Sequence, residues 1–186
     1  VIMLFNYEVR HFYPCFIRAK EDVTELIIHG TGGSESAKGL IKWMMSPDGR
    51  HKEYSQGIGL FHYIIDRKGE TIQLYDPWNS WMFHSSSGLH DKHTIGVELV
   101  NPDKKNQTEY TREQYIYIVD LFKELYKIHP LTEISGHTAT ALKYSKKSNA
   151  TPCPGNFDWI KLSDMLKEEN FVFDIEDQRI FNIQKA

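Results

Sequence analysis

Three side chains in this sequence have the types and settings of metal ligands. His29 closes the apolar run Leu26-Ile27-Ile28 and is followed by Gly30. His137 follows Gly136, and Cys153 stands inside Thr151-Pro152-Cys153-Pro154-Gly155. Imidazole nitrogen and thiolate sulfur both suit zinc, and a hydrolytic zinc site needs three protein ligands plus one open position for water. The flanking glycines and prolines let backbone come close and fix its direction. Long separation along the chain with convergence in space is normal for catalytic zinc, whereas structural zinc tends to use closely spaced sets of four ligands. The sequence has no CxxC and no HExxH pattern. Metal grammar alone therefore leaves the plainer reading of each residue open, since a lone histidine after a strand is more often a hydrogen-bonded structural group.

A fourth residue asks for a reason. Glu98 lies within Thr94-Ile95-Gly96-Val97-Glu98-Leu99-Val100, otherwise a run of strand-forming residues. Central strands exclude glutamate, so Glu98 either faces solvent from a half-exposed strand or serves chemistry.

The elements that must position these groups can be read from the pattern. Residues 23–28 predict a first core strand ending at His29. Ala37, Leu40, Ile41, Met44 and Met45 recur at helical spacing and predict a helix over about 35–45. Ser46-Pro47-Asp48-Gly49 ends it, and residues 50–58 read as a polar loop. Leu60–Asp66 and Glu70–Tyr75 about Arg67-Lys68-Gly69 predict a hairpin. Residues 77–93, with Trp78, Trp81, Phe83, His84, His90 and His93, form a long irregular segment: a binding wall or an aromatic plug over the core. Residues 101–108 read as a polar loop. Thr111-Arg112-Glu113-Gln114 matches a capping box, opening a helix to about 128 that His129-Pro130 stops. Ile134 belongs to a short strand leading into Gly136-His137. Residues 138–150 read as a Lys/Ser-rich loop, and a last helix starts at Asn156 or Asp158. Alternation in 170–183 suggests a small hairpin turning near Glu176-Asp177-Gln178.

Composition bounds the alternatives. At 186 residues, 40% hydrophobic and 25% charged, the chain fits one globular domain with a sizeable core. A net charge of −3 argues against a broad nucleic-acid surface. No apolar run approaches the roughly 20 residues of a membrane span. Val1 to Tyr7 lacks the basic leader and apolar stretch of a signal peptide. The two cysteines, Cys15 and Cys153, fit a disulfide, metal ligation or free thiols.

Five segments, in order, resemble a known family. They are Ile27-Ile28-His29-Gly30-Thr31, Phe61 to Gly69, Ile95 to Val100, Gly136-His137 and Cys153-Pro154-Gly155. Their order is that of the type 2 N-acetylmuramoyl-L-alanine amidases, zinc enzymes that include phage amidase-lysozymes, bacterial muropeptide amidases and peptidoglycan-recognition proteins. The resemblance covers about residues 23–168. It implies an α/β fold, a mixed central β-sheet flanked by helices, with zinc at one edge of a cleft. It implies one zinc held by His29, His137 and Cys153, and Glu98 in the place of the catalytic glutamate of the muropeptide amidases. It further implies His62, Trp81 and His84 as substrate-binding residues. Two positions depart from the pattern: Phe61 stands where phage enzymes have tyrosine, and Thr151 stands where several members have lysine, as in the recognition proteins. Thr151 is the expected hydrogen-bond donor to the oxyanion, with Lys146 and Lys147 as alternatives from the loop.

The expected organisation is a lead-in segment at 1–22, a zinc amidase domain at 23–168 and a tail at 169–186. The expected activity is hydrolysis of the amide between the lactyl group of N-acetylmuramic acid and L-alanine of the stem peptide. The rival is a non-catalytic peptidoglycan receptor on the same fold, and a third reading is a zinc-stabilised domain binding another peptide. The expected partner is peptidoglycan or its muropeptide fragments, without nucleic acid, and the chain is read as a monomer. Action on cell wall favours a secreted, periplasmic or phage-delivered protein over a cytoplasmic one.

Overall fold

A computed structural model describes residues 4–6, 15–44, 46, 61–145, 153–177 and 180–185. The polar loop at 50–58, Lys146, Lys147 and Thr151 lie outside the described residues. Among the described residues, eight strands form one mixed sheet in the order β1-β5-β4-β7-β3-β8-β10-β9. They are β1 (Leu4–Asn6), β3 (Glu25–Gly30), β4 (Tyr63–Ile65), β5 (Thr71–Gln73), β7 (Thr94–Leu99), β8 (Glu133–Gly136), β9 (Phe171–Asp177) and β10 (Ile180–Lys185). β2 (Phe16–Ile17) and β6 (Ser80–Trp81) make a separate antiparallel pair. The centre is parallel: β7 lies between β4 and β3, and β3 between β7 and β8. Parallel strands with both faces covered read as continuous apolar runs, which is the pattern of Leu26-Ile27-Ile28, each wholly buried.

Alternation divides the strands between two cores. Leu26, Ile28, Ile95, Val97, Leu99 and Ile134 pack on α2 (Arg112–Ile128) and α4 (Trp159–Glu168), through Ile118, Phe122, Leu162 and Leu166. On the other face, Ile64 and Ile72 pack on α1 (Ala37–Met44), through Ala37, Leu40, Ile41 and Met44. α3 (His137–Ser145) starts directly at the end of β8. The expected capping box is present: Thr111 accepts from the Gln114 amide, and the Gln114 side chain accepts from the Thr111 amide.

The hairpin about Gly69 is formed, with Tyr63–Ile65 antiparallel to Thr71–Gln73. Of the loop expected at 138–150, residues 138–145 differ from expectation and continue α3, while 146–150 lie outside the described residues. The Ala139-Thr140-Ala141-Leu142 stretch holds the helix and buries Ala139, Thr140 and Ala141, while Lys143 and Tyr144 give its exposed side a loop-like composition. The tail forms the β9–β10 hairpin, and β10 also pairs with β8, so it extends the main sheet. The segment 77–93 contains β6 and a short 3-10 helix, Gly88–His93. Among the described residues, no helix is long and apolar enough to cross a membrane.

Candidate metal centre

Ligands in open α/β sheets collect at the carboxyl ends of the strands. His29 and Glu98 occupy that end of β3 and β7 and are register partners, so their side chains leave the same face side by side. His137 is the first residue of α3 after β8, the other neighbour of β3. Cys153 is fastened to the same turn: the Thr138 hydroxyl donates to the Cys153 carbonyl at 2.9 Å and accepts from the Cys153 amide at 3.0 Å. The Thr138 amide adds a third bond to that carbonyl at 3.0 Å. The Gly30 amide donates to Cys153 Sγ at 3.3 Å, which ties the sulfur to the residue after His29. One ligand atom from each of His29, His137 and Cys153 lies within 4.8 Å of the other two. The convergence expected from sequence is met in space.

The electrostatics suit a cation. Burial, followed by the nearby His137 and His84, holds His29 well below the usual histidine range. Burial also lowers His137. Both are neutral imidazoles at pH 7, the form that ligates. Burial pushes the Cys153 thiol up, and the Glu98 carboxylate pushes it the same way. A divalent cation among the three donors supplies the positive charge that makes this sulfur a thiolate. The donor set fits zinc on softness, with two imidazoles and one thiolate.

The donors open into a cleft of about 470 Å³. Its lining includes the apolar Leu40, Trp43 and Phe61, together with Thr31, Gly32, Lys104 and Asn106 from the loops after β3 and β7. Glu98, half-buried, also lines the cleft. Glu98 thus faces the cleft beside the donors. Cys15 and Cys153 are both free, the first exposed and the second buried, which closes the disulfide alternative.

The other expected site residues separate. His84 lines the cleft and lies directly behind His29, with His29 Nε2 2.9 Å from His84 Nδ1. His62 does not line it. It is 0% exposed, its Nδ1 accepts from the Gly96 amide at 3.0 Å, and its Nε2 stands 3.0 Å from the Ser80 carbonyl. Both ring nitrogens are occupied in stitching β4, β7 and β6 together. Trp81 is also outside the cleft wall, packed on Phe16 and Phe83 at centroid distances of 4.7 and 5.1 Å. That is the aromatic plug rather than the binding wall. Arg18, buried beside His62, is bonded to the carbonyls of Lys92 and Thr94 at 2.7 and 2.6 Å and to that of Pro77. Burial pulls it down to about 10.

Asn106 was not marked by sequence reasoning. Its side chain accepts from the Gly32 amide at 2.8 Å and donates to the Gly30 carbonyl at 3.2 Å, while its own carbonyl accepts from the Asn156 amide at 2.9 Å. It clamps the loop after His29 to the loop after Cys153. Gly30 is required there, since a Cβ would come within 2.3 Å of Tyr110 Oη and 2.6 Å of the Asn106 side chain. Polar residues in 101–108 carry no periodic signal, so only the glycine at 30 hinted at a close approach.

The chain belongs to the N-acetylmuramoyl-L-alanine amidase family, whose family model matches residues 19–156. No curated protein matches it in sequence. Solved structures share the fold at low identity. N-acetylmuramoyl-L-alanine amidase LysC from Clostridium intestinale URNW superposes with a TM-score of 0.67 at 18% identity, covering 90% of this chain and 99% of that one. A selenomethionine derivative of AmpD gives 0.61 at 18% identity, covering 89% and 96%. The Staphylococcus aureus hydrolase AmiA, solved with its ligand, gives 0.60 at 14% identity, covering 89% and 82%.

Proposed function

We propose that this protein is a zinc-dependent hydrolase of peptidoglycan, cutting the amide between the lactyl group of N-acetylmuramic acid and L-alanine of the stem peptide. The observation that carries the reading is the meeting of His29, His137 and Cys153 beside Glu98 in one cleft. Family membership supplies the bond class. His29, His137 and Cys153 would hold the ion, one per chain. When bound, zinc supplies Lewis acidity, polarising the scissile carbonyl and lowering the pKa of the attacking water.

Glu98 takes a proton from that water as it attacks and passes it to the nitrogen of L-alanine as the C–N bond breaks. The products are a lactyl carboxylate on the sugar and a free amine on the peptide. Thr151, two residues before Cys153, donates a hydrogen bond to the developing oxyanion, a role worth about 2.7–4 kcal/mol when well filled. Leu40, Trp43 and Phe61 give the cleft an apolar part of its lining, and the polar loop residues of the same lining suit peptide amides. His84 meets substrate only as part of the cleft wall behind His29, since its side chain is 2% exposed.

Metal analysis joined to digestion of purified sacculi tests this reading. The protein should carry close to one zinc, lose activity to a strong chelator and regain it on zinc addition. Cys153→Ser should lose most of its zinc, because a serine hydroxyl stays protonated and ligates poorly, whereas Cys15→Ser should keep it. Full activity of metal-free protein would overturn the mechanism. Tight binding to sacculi without any cutting would favour the receptor.

A further inference from the structure

His29 offers its two ring nitrogens to different neighbours. Nδ1 stands 4.0 Å from Cys153 Sγ and so faces the donor cluster. Nε2 stands 2.9 Å from Nδ1 of His84. A neutral imidazole carries one N–H, and a ligating nitrogen must be the bare one. Ligation through Nδ1 therefore needs the proton of His29 on Nε2, where it points at His84.

The row continues behind His84 and ends on a group that can only accept. His84 Nε2 is 2.7 Å from the Thr94 hydroxyl oxygen, and that hydroxyl donates to the Asp91 carbonyl at 3.0 Å. With the hydroxyl proton committed to the carbonyl, the oxygen of Thr94 accepts from His84 Nε2–H. His84 Nδ1 is then bare and accepts from His29 Nε2–H. One set of proton positions satisfies every bond. The reverse set would forfeit the bond from Thr94 to Asp91 and place a proton on the nitrogen of His29 that faces Cys153.

Two further features hold the row still. The Asp91 carboxylate, wholly buried, takes the backbone amides of His84 and Ser85 and the hydroxyls of Ser85 and Ser87, so it anchors the segment that carries His84. Gly96 makes the bed for the ring: a Cβ there would lie 2.9 Å from His84 Nδ1 and 3.0 Å from Cε1. A glycine inside a central strand costs stability, and here it marks the close approach of a ring to backbone.

We propose that His84 is a positioning residue for the metal centre, holding His29 in the Nε2–H tautomer so that Nδ1 is free to ligate, with Gly96 giving the ring its place. The proposal rests on the reading that the His29, His137, Cys153 cluster binds zinc. Outer partners of this kind typically change metal affinity by about 10–100-fold.

Long-range proton–nitrogen correlation spectra of the metal-free protein read the tautomer directly, and competition against a chromophoric chelator reads zinc affinity. In the wild type, His29 and His84 should both appear as Nε2–H. His84→Phe keeps a ring but removes the acceptor. His29 should then lose its single tautomer, and the zinc Kd should rise by about 10–100-fold. His84→Gln restores an acceptor for His29 and a donor for Thr94, and should bring the zinc Kd back close to the wild-type value. Gly96→Ala should displace the ring and shift both readouts in the direction of His84→Phe, which keeps the proposal testable if the phenylalanine variant does not fold. An Nδ1–H tautomer of His29 in the wild type would overturn the proposal. So would an unchanged tautomer and zinc Kd in His84→Phe or Gly96→Ala. A wild type with His29 as Nε2–H but no affinity for zinc would overturn the zinc reading instead and leave the tautomer lock standing.

Discussion

Glu98 is a charged side chain on a strand whose other residues, Thr94 to Val97 and Leu99, are all buried. If its task is proton transfer and not ligation, Glu98→Gln should leave zinc content and fold unchanged while turnover falls by roughly 10²–10⁴-fold. Substrate affinity should change far less, because the lost interaction belongs to the transition state. Metal content and single-turnover rate measured on one preparation separate this from two other results: near wild-type turnover for an idle carboxylate, and loss of zinc for a ligand. The ligand candidates were legible because each sits beside glycine or proline, and His29 in addition closes an apolar run. His62 and Trp81 were not, because what distinguishes a buried stitch from a binding residue is its surroundings, which composition does not reveal. Asn106 escaped notice for the opposite reason, a polar residue among polar residues that turns inward to tie the loop after His29 to the loop after Cys153.

Local chemistry made some elements plain at the scale of helix and strand. The capping box at Thr111 and Gln114 fixed the start of α2 in sequence and in structure alike. It also reaches beyond the helix. Gln114 Nε2 donates to the Val100 carbonyl at 2.9 Å just past β7, and the Thr111 hydroxyl donates to the Arg67 carbonyl at 2.7 Å. Thr111→Ala should therefore destabilise the protein by about 0.5–2 kcal/mol, read as a lower urea midpoint with unchanged slope. No shift in the midpoint would mean that the cap is redundant. α3 was not legible as a helix. Its first residue is a candidate ligand, its inner face is made of alanine and threonine, and its stripe is too short and too small to show a period. The same helix start carries His137 and Thr138, so the element that sequence missed is one that holds the centre together.

Across the whole molecule, the core strands, the hairpin and the two helices at 111–128 and 156–168 followed from the sequence pattern, whereas their arrangement as a mixed sheet flanked by helices came from the family resemblance. The pairing of the N-terminal strand β1 with β5 and of the tail with β8 followed from neither, because both join the sheet at its outer strands without a distinctive pattern. The sheet buries unusual chemistry. His29, His62 and His84 are held well below the ordinary value of 6.5, chiefly by burial. His137 is lowered for the same first reason. Below 6.5 the unfolded chain gains protons that the folded chain refuses, so stability of the metal-free protein should fall as pH drops below about 6.5 and level off above it. Each such histidine contributes a slope of up to roughly 1.4 kcal/mol per pH unit. Cys153 acts at the other end: its thiol is raised from an ordinary 9.0, so the folded chain keeps a proton that the unfolded chain gives up, and stability should fall again above about that pH. Urea midpoints of metal-free protein across pH 5 to 10 check both limbs, and a flat profile through 6.5 would contradict the burial of neutral histidines.

Mass spectrometry of the products from purified muropeptides tests the central claim most directly. The zinc-loaded protein should release free stem peptides that begin with L-alanine and leave the glycan intact. New reducing sugar ends, or cuts between amino acids of the stem, would contradict it.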